Sequence, residues 1–528
     1  MAKKELKYYN GRLVGSYLSE KECDILDKLR HLSNEQGFVR DLKQCIYNLT
    51  PADVDYIKSS GTNEGVDMRM GELEDLQTVG VAYMYYAKRL ILGDSVGLGK
   101  TVEVCGLLNL LATKLRKEGY DFKFLFLTEK NLVSQTRDAL IQFTGEYVEA
   151  VYGEKKYVTK FLNENTDELK YSVVGSHSLL TNVAFQQYLS SYYTYLGDIP
   201  FDILIIDEAG SILKNKTTQT YASAKIVGDM FDRIILLNAT AFEKNLSMFY
   251  NQLNFVDDTF LPAVTNFNKR YVQYDYTGVY PRPNGKYKNE DEFKRLVGYR
   301  YFARTRKSSG AKFVDCSADV IVSDLSDVQK DLLKKTSLPN MVYDCPGYFF
   351  KDDPFFTNTE NTPKLKDLVG LVSRLLSNNE QVLIYSLYKE AQECIQNTLF
   401  SYGIDCSIMN GETSLRNRNK LIDKFKAGDL NVLITNVQKG LNFGKCNYCI
   451  FYSYDSSPSK MVQFEGRMTR EFDIVGKHVY LLISRGAELK KFKSDVADEA
   501  RASDMFAGSD FSCVMSLLLD TERLAKLE

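Results

Sequence analysis

An α/β fold built as two parallel-sheet lobes in tandem is what this sequence predicts, and three observations predict it. Short apolar runs alternate with helical stretches from about residue 68 to 258, and the alternation resumes from about 364. Between the apolar run Leu90-Ile91-Leu92 and a helical stretch from Val102 to Leu115 stands Asp94-Ser95-Val96-Gly97-Leu98-Gly99-Lys100-Thr101. A second apolar run, Phe201-Asp202-Ile203-Leu204-Ile205-Ile206, is too short for a helix and ends in Asp207-Glu208-Ala209-Gly210.

Taken in order, residues 1–67 read as a mixed, mostly helical accessory region, with helices over Glu20 to Leu32 and Pro51 to Ser59. Residues 68–260 form the first lobe, with further strands at Phe122–Leu127, Ser172–Val174 and Ile234–Leu237. Residues 261–360 break the rhythm with the turn-forming clusters Pro281-Arg282-Pro283-Asn284-Gly285 and Asp352-Asp353-Pro354, and read as an inserted or linking region, partly helical and basic. The second lobe, 361–490, has strands at Gln381–Tyr385, Asn431–Thr435, Tyr448–Tyr452 and His478–Ile483, and no phosphate loop of its own. Residues 491–528 read as a helical tail.

Composition narrows the class. A chain of 528 residues exceeds one core and implies roughly two to four domains. No apolar stretch reaches the ~18 residues of a membrane span, and no apolar segment follows the basic start, so neither a membrane span nor a secretory signal is expected. Ten scattered cysteines point to reduced thiols and a cytoplasmic chain, whose compactness suggests a bacterial or phage-like origin. Cys446 and Cys449 form a lone CxxC, and with three histidines in the chain a zinc site is not expected. The net charge of −2 does not advertise nucleic-acid binding, but such a footprint is local. Lys294, Arg295, Arg300, Arg304, Arg306 and Lys307 run without an intervening acid, as a phosphate-tracking patch or a solvated helix face.

The strand–loop–helix context turns GxGKT into a phosphate cradle. Gly97 and Gly99 let backbone N–H groups point at a polyphosphate, and the helix adds its positive end. Lys100 would neutralise the β/γ-phosphates and the Thr101 hydroxyl would ligate Mg²⁺. Asp207, at the strand end where open α/β sheets bind ligands, is suited to hold Mg²⁺, and Glu208 to orient and deprotonate water. Lys130, Ser134, Ser386 and Thr435 follow or end strands, where short hydroxyls and helix amides suit sugar-phosphate contacts. Arg304 and Arg306 are candidates through the basic segment.

By these residues the chain resembles the superfamily 2 helicase-type motors, and within them the Swi/Snf family of double-stranded DNA translocases. Leu73-Glu74-Asp75-Leu76-Gln77-Thr78-Val79-Gly80-Val81 looks like the Q-motif, which implies Gln77 against adenine. Asp94–Thr101 is similar to motif I, "DEMGLGKT", adding Asp94 to the nucleotide site. Phe124–Gln135 resembles motif Ia, and Leu237-Asn238-Ala239-Thr240-Ala241-Phe242-Glu243-Lys244-Asn245 resembles motif III. Asn431–Asn436 with Gly440-Leu441-Asn442 resembles motif V, which implies Gly440 at the nucleotide. Gln463-Phe464-Glu465-Gly466-Arg467-Met468-Thr469-Arg470 fits motif VI, Q-x3-R-x2-R, which implies Arg467 and Arg470 as arginine fingers. A weaker similarity, Phe267-Asn268-Lys269-Arg270-Tyr271, Glu292-Phe293 and Tyr301–Lys307, looks like the annealing-helicase branch. Gly210 departs from the usual His or Gln of the acidic motif, and Ala241 and Lys244 depart from motif III, which puts coupling of hydrolysis to movement in doubt.

The resemblance implies two RecA-like lobes with an ATP cleft between them, ATP and Mg²⁺ as cofactors, and duplex or branched DNA gripped without base specificity. Closure of the cleft would bring the arginine fingers to the phosphate, making hydrolysis conditional on closure. The alternatives are a motor subunit of a restriction or transcription-associated complex, and a non-hydrolysing nucleic-acid clamp.

Overall fold

A computed structural model of the chain describes residues 7–9, 12–14, 20–32, 73, 75–95, 97–166, 168–196, 199–238, 246–275, 282–304, 316–350, 361–437, 443, 446–454, 461, 464–465, 477–506 and 527. It divides into two compact units, one of residues 1–310 with 505–507, the other of residues 311–504 with 508–528.

The first unit opens with an antiparallel pair, β1 (Lys7–Tyr9) and β2 (Arg12–Val14), and helix α1 (Glu20–Leu32). Helix α2 (Asp75–Ala87) follows, then β3 (Arg89–Leu92), α3 (Lys100–Lys117), β4 (Phe124–Thr128), β5 (Val148–Val151), β6 (Ser172–Ser176), β7 (Ile203–Asp207) and β8 (Ile234–Leu237). The antiparallel pair β9 (Val272–Asp275) and β10 (Arg282–Tyr287) precedes the two-residue β11 (Tyr301–Phe302). Among the described residues the main sheet runs β11-β3-β8-β7-β4-β6-β5, parallel throughout. β3, β4, β7 and β8 are continuous apolar runs because helices cover both of their faces.

Two boundaries differ from expectation. α1 belongs to the first unit rather than to a separate N-terminal region: Lys88 Nζ lies 2.8 Å from Glu22, and the Tyr299 hydroxyl donates to Asp27 at 2.9 Å. Residues 261–360, expected as one linking region, are divided. β11 extends the first sheet, whereas β12 (Cys316–Ser323) joins the second. Of the clusters that break the rhythm, residues 282–285 lie in β10, and residues 281 and 352–354 lie outside the described residues. The second stretch expected to be helical, Pro51 to Ser59, lies outside the described residues.

The second unit continues with β13 (Val382–Tyr385), β14 (Ser407–Met409), β15 (Val432–Thr435), β16 (Tyr448–Phe451) and β17 (Lys477–Ser484). Among the described residues its sheet runs β12-β17-β16-β13-β15-β14, again parallel. The helix Pro363–Ser377 packs its apolar side, with Leu365, Leu368, Val372 and Leu375 buried, into that core. The helix expected for the tail begins earlier, spanning Ala487–Phe506. Among the described residues no helix is long and apolar enough to cross a membrane.

Candidate nucleotide site

The sheet order builds the site. β3 delivers the glycine loop and β7 delivers Asp207-Glu208, with β8 between them, so the two motifs stand two strand spacings apart, about 10 Å. Gly97 and Gly99 take φ of 88° and 87°, a left-handed conformation that costs a glycine little and most residues much. Gly99 caps α3. That helix begins two residues before the expected Val102, so Lys100 and Thr101 occupy its first turn. It ends at Lys117, capped by Glu118 and followed by Gly119 at φ 85°, with Lys114, Arg116 and Lys117 complementing the C-terminal dipole.

Lys100 Nζ donates to the carbonyl oxygens of Asp94 at 2.6 Å and Ser95 at 3.2 Å. Burial lowers its pKa, opposed by the carboxylates of Asp94, Glu208, Asp207 and Glu103. Gln77 lies against the loop: its Nε2 contacts the Leu98 carbonyl at 3.4 Å, and a Cβ on Gly99 would meet that nitrogen at 2.4 Å. A side chain at 99 would therefore displace Gln77 as well as strain the loop.

Asp207 Oδ1 accepts from the Glu208 N–H at 3.0 Å, and Thr128 Oγ1 contacts Oδ2 at 3.4 Å. His177 Nε2 lies 2.8 Å from the Asp207 carbonyl. Glu208 sits at φ 50°, a conformation few residues other than glycine adopt, and the Ser211 N–H and hydroxyl both donate to its carbonyl. Gly210 fits because the room for a side chain is occupied: its Cβ would lie 2.5 Å from Asn238 Nδ2. Asn238 is buried, its Nδ2 donates to Gln252 Oε1 at 2.8 Å, and its N–H donates to the Leu92 carbonyl at 3.1 Å. One asparagine thus links the strand before the phosphate loop, the turn after Glu208, and the helix Leu246–Val256. Thr128 and Asn238 fall within the stretches that resemble motifs Ia and III, though neither is singled out there; His177 and Gln252 have no sequence signal.

A phosphate-bound Mg²⁺ fits this donor set. The half-buried Thr101 and Asp207 would supply one hydroxyl and one carboxylate, the sparse protein ligation that Mg²⁺ beside phosphates takes.

Several expected roles are corrected. Asp94 is fully buried with its carboxylate facing Arg304, so it does not reach a nucleotide. Arg304 is 2% exposed and held by two carboxylates, so it is not open to a DNA phosphate. Arg300 is equally buried, donating to Asp257 at 3.0 and 2.8 Å. For these two arginines the basic segment is packing. Ser386 and Thr435 are also fully buried: Ser386 Oγ lies 3.4 Å from Ser453 Oγ, and Thr435 Oγ1 accepts from the Val437 N–H at 3.0 Å. Their hydroxyls close strand ends and do not face a backbone. Lys130 and Ser134 are exposed, Lys130 beside Glu154 and Ser134 Oγ 2.9 Å from the Tyr152 hydroxyl. The FxxRY-like segment packs on Glu292-Phe293: Phe267 and Phe293 ring centroids stand 5.5 Å apart, and Arg270 donates twice to Glu292 at 2.6 Å. Arg306, residues 239–245, Gly440, Gln463, Arg467 and Arg470 lie outside the described residues.

Known proteins define the class. The SNF2-related domain matches residues 76–383, and the helicase conserved C-terminal domain matches residues 363–471. The chain belongs to the SNF2-related family of helicase superfamily 2, a family of nucleic-acid-dependent ATPases. YwqA of Bacillus subtilis (strain 168) is 22% identical over 484 residues, 83% of this chain and 49% of that protein. "DNA repair and recombination protein RAD54B" of Gallus gallus is 22% identical over 461 residues, 75% of this chain and 49% of that protein. "ATP-dependent DNA helicase DDM1" of Arabidopsis thaliana is 22% identical over 466 residues, 78% of this chain and 59% of that protein. The chain spans about half the length of the curated relatives it matches. Among solved structures, the Sulfolobus solfataricus SWI2/SNF2 ATPase core in complex with dsDNA is similar at 16% identity and a TM-score of 0.37, over 85% of this chain and 95% of that one.

Proposed function

We propose that the chain hydrolyses ATP to move along duplex or branched DNA, gripping the backbone without reading its sequence. The observation that carries this is the phosphate loop and Asp207-Glu208 at the ends of β3 and β7 of one parallel sheet, bridged by Asn238. Names of relatives that include DNA repair and DNA helicase support DNA as the track.

In this reading the amides of residues 97–101 and the Lys100 ammonium bind the β/γ-phosphates, and Gln77 borders the adenine side. Thr101 and Asp207 hold Mg²⁺, which when bound offsets charge on the phosphate oxygens. Glu208 orients water and takes its proton. Arg467 and Arg470 supply positive charge to the γ-phosphate in the transition state when the second lobe closes, and Gly440 lines the nucleotide. Lys130, Ser134 and Arg306 are the assigned backbone contacts. Cycles of closing and reopening would move the chain along DNA.

The test is ATP binding and DNA-stimulated turnover in three proteins. Wild type should turn over ATP faster with DNA. Lys100→Ala should lose nucleotide affinity with its phosphate countercharge. Glu208→Gln should bind ATP as wild type does and lose hydrolysis by about 100-fold or more. Equal turnover in wild type and Glu208→Gln would remove Glu208 from the chemistry.

A further inference from the structure

Arg304, outside the phosphate loop and the acidic motif, ties together more of the nucleotide site than any residue within them. It follows β11 at the edge of the first sheet. Its backbone N–H donates to Asp94 Oδ1 at 2.9 Å, its Nε contacts both Asp94 oxygens at 3.2 and 3.0 Å, and its Nη2 reaches Asp94 Oδ2. The same Nη2 lies 2.8 Å from each Glu103 oxygen. Asp94 opens the phosphate loop, and Glu103 is in the first turn of α3. Gly80, nearly one turn past Gln77 on α2, makes the room: a methyl there would lie 2.0 Å from Glu103 Oε2 and 2.7 Å from Arg304 Nη2. One guanidinium therefore joins α2, the loop, α3 and the sheet edge.

Lys100 Nζ rests on the Asp94 carbonyl at 2.6 Å, and the Asp94 and Glu103 carboxyls both attract its charge. Burial pushes the Glu103 carboxyl up to about 8, so Asp94 is the main competitor with phosphate for that ammonium. In a low-dielectric interior an unpaired carboxylate would hold the lysine strongly. The planar guanidinium offsets that charge and fills lone pairs on two carboxylates at once, a geometry an ammonium cannot copy. We infer that Arg304 is a positioning residue for ATP: by engaging Asp94 and Glu103 it keeps Lys100 available to the β/γ-phosphates and holds the loop entrance in register with the Gln77 helix. This rests on the reading of residues 97–101 as the ATP loop. Lys100 would be withdrawn equally from ground state and transition state, so KM should change more than kcat.

The test uses the full chain, a fluorescent ATP analogue for binding, and steady-state turnover on saturating DNA. Arg304→Met should weaken analogue binding about ten- to hundredfold, with kcat at saturating ATP within about threefold of wild type. Adding Asp94→Asn should restore most of the affinity by removing the competing charge. A wild type that does not bind the analogue would end the ATP-loop reading itself. With wild type binding, an Arg304→Met affinity within about twofold of it, a kcat that falls while KM holds, or a double variant no tighter than the single would overturn the role of Arg304. If Arg304→Met does not fold, Arg304→Lys with and without Asp94→Asn carries the test. Arg304→Lys should weaken binding and Asp94→Asn should recover it. Affinity unchanged by Arg304→Lys, or a loss that Asp94→Asn leaves in place, overturns the inference.

Discussion

Gly210 is one of the residues at which the sequence departs from the family pattern, and the structure supplies a physical reason for the glycine. The buried Asn238 amide occupies the space a side chain would need, 2.5 Å from where a Cβ would lie. Gly210→Ala should therefore push on Asn238 and on the turn holding Glu208, costing about 1–3 kcal/mol of stability as an overpacked core does. Because that turn carries Glu208, the residue proposed to activate water and not to bind nucleotide, ATP turnover should fall more than ATP affinity. Thermal unfolding and a kcat–KM comparison check both parts, and a variant as stable and active as wild type would show that the contact yields freely. Arg470, placed by the motif VI pattern alone, carries its own expectation. Arg470→Ala should lower kcat with little change in ATP affinity, as a group acting in the transition state does. A large loss of binding with hydrolysis per bound ATP unchanged would reassign it to the ground state.

At the scale of elements, buried ion pairs fasten segments to both sheets. In the first unit Arg300 and Asp257, exposed 2% and 0%, join the approach to β11 to the end of the helix Leu246–Val256. In the second, Lys364 at the start of the helix Pro363–Ser377 lies 2.8 Å from Asp344 and 3.2 Å from Glu488. Such pairs add little net stability compared with an apolar replacement of both partners, but removing one partner strands a buried charge. Arg300→Met should therefore cost about 3–5 kcal/mol, read from urea unfolding at neutral pH. Burial raises the Asp257 pKa, but the Arg300 charge and hydrogen bonds from Thr259 and Arg300 outweigh it and leave the carboxyl below its ordinary value. A depressed carboxylate contributes stability that is complete above its unfolded value, near pH 4, and is lost as pH falls through the folded value. In the methionine variant burial acts unopposed by Arg300, so acidification should relieve the stranded carboxylate. The stability gap between wild type and Arg300→Met should narrow as pH falls from about 6 toward 4. A constant gap would assign its cost to lost packing instead.

At the scale of the whole molecule, a net charge of −2 and a grip on DNA are compatible, because contacts to a backbone need a few placed cations and not a basic chain. Duplex or forked DNA should stimulate the ATPase more than single-stranded RNA, with affinity falling steeply as salt rises. Measuring stimulation across duplex, forked and single-stranded DNA and RNA at two salt concentrations decides this, and RNA as the best activator would discard the duplex-translocase reading. Lys130→Ala with Ser134→Ala should weaken DNA binding severalfold across all sequences and reduce the salt slope by about 1, leaving hydrolysis without DNA unchanged. An unchanged slope would return Lys130 to its ion pair with Glu154.

Sequence pattern alone was enough for the two-lobe α/β organisation, for the strands β3, β4, β6, β7, β8, β13, β15, β16 and β17 to within two residues at either end, and for the positions of the phosphate loop and Asp207-Glu208. Those features are local: a doubly buried strand is a short apolar run, and a phosphate loop is a run of glycines between strand and helix. Edge strands β5, β11, β12 and β14 escaped because an edge is short or only partly apolar, and pairing with a distant neighbour defines it. Burial of polar groups was likewise decided by the tertiary structure. Arg300 and Arg304 belong to a run that reads as a basic patch, yet partners 43 and 201 to 210 positions away draw them inside. Ser386 and Thr435 stand at strand ends that read as open to ligand, until neighbouring strands close over them. Charge and hydroxyl chemistry are written residue by residue, but their availability depends on contacts between elements far apart in the chain.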